Sequence, residues 1–337
     1  MKIVTPYYED NTRYSNSNIG QYLKYGPQYL RDYLDKKEEG LSASFLEKGS
    51  MIHMYILQPE EFWKEYTILE YEVPKVNQQK ILCSSYCYEK KVNPFESEDT
   101  ILLLCYNEAY NNSKSDNVKI QEAKDIISKY GDYIKNIDNP KKAISFADLQ
   151  MLKKIKTNLE EHKFSKSLLF DLPENIEVHN EFHINWEYPR EFYDTYLPCK
   201  SLIDRVHIDE KNKVITLIDL KTTSTLYGFD NSMITYDYCR QFRYYWMALE
   251  WYMKNEREID IMEYTRKTYV IAISSTGSGA VRVFDVTESQ MAESYNTIDN
   301  TIKELSWHDS KGKWQYKREY YEGDGIEQLD IQSIKDK

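Results

Sequence analysis

The spacing of hydrophobic positions changes along the chain. In "SFADLQMLKKIKTNLEEH" (145–162), Leu149, Leu152, Ile155 and Leu159 recur every three or four residues, the stripe of an amphipathic helix. Ser145, with Asp148 at the third helical position, comes close to a capping box. Lys153, Lys154 and Lys156 lie on the opposite side and read as a solvated face, with a phosphate-contacting helix as the alternative. "VKIQEAKDIISKYGDYIKNI" is amphipathic in the same way, and residues 75–166 read as mostly helical. Nearer the N-terminus, residues 15–34 read as a polar cap, a short helix, a break at Gly26-Pro27 and a second helix. A further helix follows, capped by Ser42 or Ser44, with Phe45, Ile52, Ile56 and Leu57 as its apolar face and Pro59 at its end. Gly49 and His53 share one side of it.

Beyond residue 175 the spacing falls to two. "IEVHNEFHINWEY" (176–188) alternates as a strand does. "KSLIDRVHID" and "KVITLIDLKTT" are two more strands, joined by the polar turn "EKNK" into a hairpin. "YDYCRQFRYYWMALEWYMKN" predicts a long helix with Gln241 and Tyr245 one turn apart. "TYVIAISST" and "AVRVFDVT" predict strands, and "ESQMAESYNTIDNTIKELSWH" a last helix. The polar and aromatic tail after about residue 310 shows no usable pattern. The order predicts a mixed α/β fold preceded by helices. With no repeat, low-complexity tract or linker, the simplest organisation is one domain over 1–337, a helical insertion at 75–166, and the sheet with its helix at 175–290.

Composition narrows the function classes. The 41% hydrophobic content over 337 residues allows a sizeable core, and the few glycines and prolines (11 and 9) argue against a repetitive β protein. A net charge of −11 excludes a wholly basic surface, but a local basic groove for nucleic acid remains compatible with it. It also suits a carboxylate cluster for a divalent cation. Five cysteines without a CxxC pair fit a reducing cytosol, and Cys83 and Cys87 read as small core residues before they read as metal ligands. The first residues carry no apolar signal segment and no run is long enough to span a membrane, so a cytoplasmic protein is expected.

The candidate chemistry sits on the hairpin. Asp219 and Lys221 flank Leu220 and leave one face of their strand together. Asp204, on the preceding strand, can be brought beside Asp219. Two adjacent carboxylates repel unless a cation lies between them, and Mg²⁺ prefers oxygen ligands of this kind. A lysine nearby can stabilise developing phosphate charge or help deprotonate water. A D-x-K triplet alone is as readily an exposed strand end. Its weight comes from the ordered company of Asp204, Gly49-x-x-x-His53 and Gln241-x-x-x-Tyr245.

That ordered set, "GSMIH", "NEF", "SLIDRV", "LIDLKTT" and "RQFRYY", resembles the PD-(D/E)XK nuclease superfamily, within it the RecB-type and RecE-like (exodeoxyribonuclease VIII-like) phage exonucleases. The likeness covers about 15–60 and 175–255 well and the rest loosely. It implies a restriction-endonuclease-like core: a central mixed β-sheet flanked by helices. It implies Asp204 and Asp219 as metal-binding acids, Lys221 as the catalytic lysine, and the Leu220 carbonyl and His53 as further metal ligands. Gln241 and Tyr245 would hold DNA beside the site, and Glu181 would support it, ahead of Glu187 and Asp194. "Leu-Ile-Asp" stands where the motif has Pro-Asp. The activity implied is Mg²⁺-dependent hydrolysis of DNA from duplex ends, with Mn²⁺ as a substitute. A single-strand annealing protein would be the partner in recombination or repair, and a homo-oligomer is compatible with it. A structure-specific endonuclease and a non-catalytic DNA-binding protein of the same fold are the alternatives. An iron–sulfur nuclease is disfavoured, because no cysteine follows Cys239.

Overall fold

The computed structural model describes residues 7–36, 44–68, 71–138, 141–188 and 196–326. Ser42, the side chains of Ser44 and Phe45, and Asp194 lie outside the described residues. Two compact units emerge: Pro59–Lys153, and Met1–Gln58 together with Lys154–Lys337.

The smaller unit is mostly helical, with helices Asn77–Val92, Glu98–Ala109 and Asp116–Lys129 around Leu82, Ile101, Leu102, Cys105, Tyr106 and Ala123. Cys83 is buried there, consistent with a core residue. This unit also contains something the helical pattern does not predict. Strands β1 (Tyr66–Ile68) and β2 (Lys142–Ile144) form a short parallel pair. The helix Phe146–Glu161 then starts as expected, with Asp148 N–H donating to Ser145 Oγ at 3.1 Å and Ser145 N–H donating to Asp148 Oδ2 at 3.2 Å. Leu149, Leu152, Ile155 and Leu159 are all buried, and Lys153 and Lys154 are exposed.

The larger unit is built on a five-stranded mixed sheet: β3 (Glu177–Tyr188), β4 (Leu197–Asp209), β5 (Val214–Thr223), β6 (Thr265–Ser274) and β7 (Val281–Asp285), in that spatial order. Only β5 and β6 pair in parallel. A parallel pair needs a crossover, and the helix Tyr238–Asn255 supplies it. Its Phe242, Tyr244, Trp246 and Leu249 are buried with Val206, Ile208, Ile215 and Leu217 of the sheet. The helix Glu288–Lys311 packs against it in turn. On β5 every residue from Ile215 to Leu220 is buried, as a central strand covered on both faces requires. The helix Ser44–Leu57 lies against β4 and β5. The tail without a pattern is anchored by Trp314, buried and stacked on His308 with ring centroids 5.0 Å apart. Among the described residues no helix is long and apolar enough to cross a membrane.

Candidate active site

The sheet opens where its two acidic strands part. The β4–β5 ladder runs from Asp209↔Val214 to Arg205↔Ile218 and stops one position short of Asp204 opposite Asp219. The first half of β4 is joined instead by the N-terminal segment, through Tyr14 beside Cys199. The Leu220 N–H, which Asp204 accepts at 2.7 Å, ties the two strands across the gap. A backbone donor that would otherwise be orphaned thus fixes the carboxylate.

A second irregularity faces the same gap. In the β3–β4 ladder, Asn180↔Arg205 and Phe182↔Ile203 flank the Glu181–Asp204 position, which is itself unpaired. Glu181 has φ +47°, a left-handed conformation that is uncommon for a residue with a side chain and costs on the order of 1 kcal/mol or more. The residues of β4 that join the main core change from odd (Leu197, Cys199, Ile203) to even (Val206, Ile208) across Asp204.

His53 arrives from the third element. Its Nδ1 lies 3.5 Å from Asp204 Oδ2, and the ring is hydrogen-bonded to the Leu220 backbone. Gly49, one turn earlier, permits this approach: a Cβ there would stand 3.2 Å from Thr222 Oγ1 of β5. His53, Glu181 and Asp204 each offer a ligand atom, and the three atoms lie within 4.8 Å of one another. Among the described residues this is the group of three or more that can hold a metal ion.

Asp219 stands beside this triad, fully buried. Lys221 Nζ is 2.7 Å from its Oδ2, and Gln241 Nε2 donates to its Oδ1 at 3.4 Å. The lysine contact is close but poorly aligned, so Oδ2 counts as an ion-pair partner while lacking a proper hydrogen bond. Gln241 Nε2 also donates to Tyr245 OH at 2.8 Å, which fixes its amide. Lys221 Nζ lies 4.7 Å from the centre of the Tyr238 ring.

The electrostatics follow from three acids in a confined space. Burial, with Asp204 and Asp219 nearby, pushes the Glu181 carboxyl up to about 8. Burial pushes Asp219 up to about 6 against the pull of Lys221. Asp204 is raised by burial too, with Lys221 and the Leu220 N–H opposing. Burial disfavours the Lys221 ammonium, but Asp219 and Asp204 outweigh it and hold its pKa above the usual value. Burial and Lys221 lower His53 to about 4, so its imidazole is neutral and free to ligate at neutral pH.

This donor set fits a divalent cation. It combines neutral imidazole with carboxylate oxygen and contains no thiolate, which suits Mg²⁺ or Mn²⁺. The proton-holding Glu181 is what an acid crowded by two others shows when no divalent cation lies among them.

The structure therefore gathers His53, Glu181, Asp204, Asp219, Leu220, Lys221, Gln241 and Tyr245 where β4 and β5 part. Glu181, expected in support, stands with His53 and Asp204 in the donor triad. Glu187 is exposed farther along β3. His207 is buried and accepts from Arg205 Nε at 2.8 Å, a structural role.

Two neighbours escaped the sequence reading. Tyr238 sits one turn before Gln241 on the same helix face, a spacing that could have flagged it. Tyr8, 81% exposed and with Glu181 and Asp204 as its charged neighbours, could not be foreseen. Its segment is placed by Lys200, whose buried ammonium donates to the carbonyls of Tyr7 at 2.6 Å and Asp10 at 2.5 Å.

No protein-family model matches the chain, and no curated protein matches it. Among solved structures it is similar to a provisionally assigned exonuclease from Eubacterium rectale, with a TM-score of 0.42 and 10% identity, covering 99% of this chain and 98% of that one. It is also similar to the protein SSO0001, with a TM-score of 0.24 and 12% identity, covering 66% of this chain and 84% of that one. At these distances any functional reading rests on the side chains themselves.

Proposed function

We propose that this protein is a metal-dependent deoxyribonuclease of the PD-(D/E)XK kind, acting as an exonuclease on duplex ends. One observation carries the reading. Residues from four separate elements, His53, Glu181 with Asp204 and Asp219, and Lys221, converge where β4 and β5 part. A structural ion pair would not require three acids to share one gap.

His53, Glu181 and Asp204 would hold the cation, with Asp219 and the Leu220 carbonyl completing its surroundings. Mg²⁺, or Mn²⁺ in its place, would neutralise phosphate charge and acidify an attacking water. Among the described residues Lys221 is the cation that pairs with these acids, its Nζ 2.7 Å from Asp219 Oδ2. Its ammonium, held charged by Asp219 and Asp204, stabilises the charge that builds on the phosphoryl oxygens. Gln241 holds the Asp219 carboxylate in place, and Tyr245 holds Gln241. The preference for ends, and a single-strand annealing protein as partner in recombination or repair, come from the likeness of the ordered motifs alone.

The test is digestion of linear duplex, covalently closed circle and single strand with Mg²⁺. Loss of linear duplex with the circle intact supports the exonuclease. Cleavage of the circle makes it an endonuclease on the same site. No cleavage with DNA binding retained makes it a binding protein.

A further inference from the structure

The connection between β5 and the helix Tyr238–Asn255 has no part in the metal centre, yet it forms a cleft of about 580 Å³. Thr225, Leu226, Tyr227, Asn231, Ser232 and Tyr236 are among its lining residues. The volume falls within the roughly 300–1,000 Å³ usual for small-ligand clefts. Two of its aromatic side chains are held out to solvent: Tyr227 is 91% exposed and Tyr236 is 64% exposed.

In a chain with 31 tyrosines, exposed ones are unremarkable by themselves. Three features set these apart. First, the segment that carries them is anchored. Leu226 and Phe229 are buried in the main core, and Phe229 stacks on Tyr238 at 6.1 Å. Second, the cleft adjoins the reactive lysine. Lys221 Nζ lies over the Tyr238 ring, and Tyr238 stacks on Tyr236 with centroids 5.7 Å apart. Third, the lining has no charged side chain; apart from the apolar and aromatic surfaces it offers hydroxyls and an amide. A phosphate would find no counter-charge there. A nucleobase would find aromatic faces for stacking, and hydroxyl and amide groups that can donate to or accept from its edge.

We propose that this cleft binds an unpaired nucleobase of the strand being cut, stacked against Tyr227 and Tyr236, next to the phosphodiester held at Lys221. This rests on the nuclease reading. Stacking accepts every base, so the cleft positions the strand without selecting sequence.

The test uses the full chain and a short single-stranded oligonucleotide carrying 2-aminopurine at either terminus, in chelator so that nothing is cut. Stacking quenches the fluorescence. Y227A and Y236A are expected to lose quenching and bind about tenfold more weakly, and Y227F and Y236F to retain both. With Mg²⁺, the alanine variants are expected to raise KM about tenfold and leave kcat unchanged. Alanine variants that quench, bind and cut like the wild type would overturn the cleft while leaving the nuclease standing. A wild type that cuts no DNA but shows tyrosine-dependent quenching would overturn the nuclease and leave the base site standing.

Discussion

Binding of Mn²⁺ to the metal-free protein should tighten steeply with pH, because the cation must displace a proton from Glu181. That carboxyl is pushed up to about 8, against an ordinary value of 4.5, by burial and by Asp204 and Asp219. The folded chain therefore keeps a proton there that the unfolded chain has lost, across the window from 4.5 to about 8. More protons on the folded state means that the metal-free protein loses stability as pH rises through that window. The cation cancels this by taking the proton's place, since the bound form carries no proton at Glu181 in either state. Below the Glu181 pKa, apparent affinity gains about tenfold per pH unit for one displaced proton. From about pH 6 to about pH 8, where Glu181 is half titrated, that is roughly fiftyfold, or about 2.3 kcal/mol of added stabilisation by the bound cation. In a chain of this size the gap between the melting points with and without cation widens by about 3 °C. Asp219, near 6, adds to the dependence at the lower end. Calorimetric titration with Mn²⁺ at several pH values, with parallel melting curves, reads both quantities. E181Q has no proton to displace and should flatten the dependence above about pH 7. An affinity that stays flat with pH in the wild type, or a slope unchanged in E181Q, would refute the reasoning.

Two further perturbations follow from the geometry. G49A places a Cβ 3.2 Å from Thr222 Oγ1, so the Thr222 side chain or the His53 helix must give by a few tenths of an ångström. The variant should lose about 1 kcal/mol of stability and several-fold in Mn²⁺ affinity, and adding T222A should restore both, as melting and titration would show. Q241A removes the amide that bridges Asp219 and Tyr245. Cleavage should slow about tenfold with KM little changed, and an equal loss in KM alone would place Gln241 on the substrate instead.

The hairpin was readable from sequence because its constraints are local. A short polar turn between two apolar runs fixes the pairing, and the register brings Asp204 toward Asp219. The helix of Gln241 was equally readable from its apolar periodicity and length. Glu181 was visible as an acid on the preceding strand, but not its φ of +47°, since nothing in its residue type marks a left-handed conformation. Its place with His53 and Asp204 depends on that backbone and on the close packing at Gly49, both tertiary. The pair β1–β2 was illegible because three-residue strands have no periodicity to show, and Tyr66 and Lys142 meet across most of a helical unit. The tail was illegible because its anchors are scattered tertiary contacts, Trp314 stacked on His308 and Glu322 accepting from Trp307 Nε1 at 2.9 Å, with no periodicity. The cleft beside Tyr227 and Tyr236 leaves no pattern either, since its meaning lies in what the loop adjoins.

The central claim is that Lys221 and the neighbouring acids cut phosphodiester bonds with a divalent cation. The most direct test is the rate of Mg²⁺-dependent release of nucleotides from linear duplex by the wild type, K221A and D204N, with and without chelator. Loss of a positioned charge of this kind typically removes about a hundredfold to a thousandfold or more of the rate. Release is expected from the wild type alone and is abolished by chelator, with both variants still folded and K221A still binding DNA. Release that persists in K221A, or that proceeds in chelator, would contradict it.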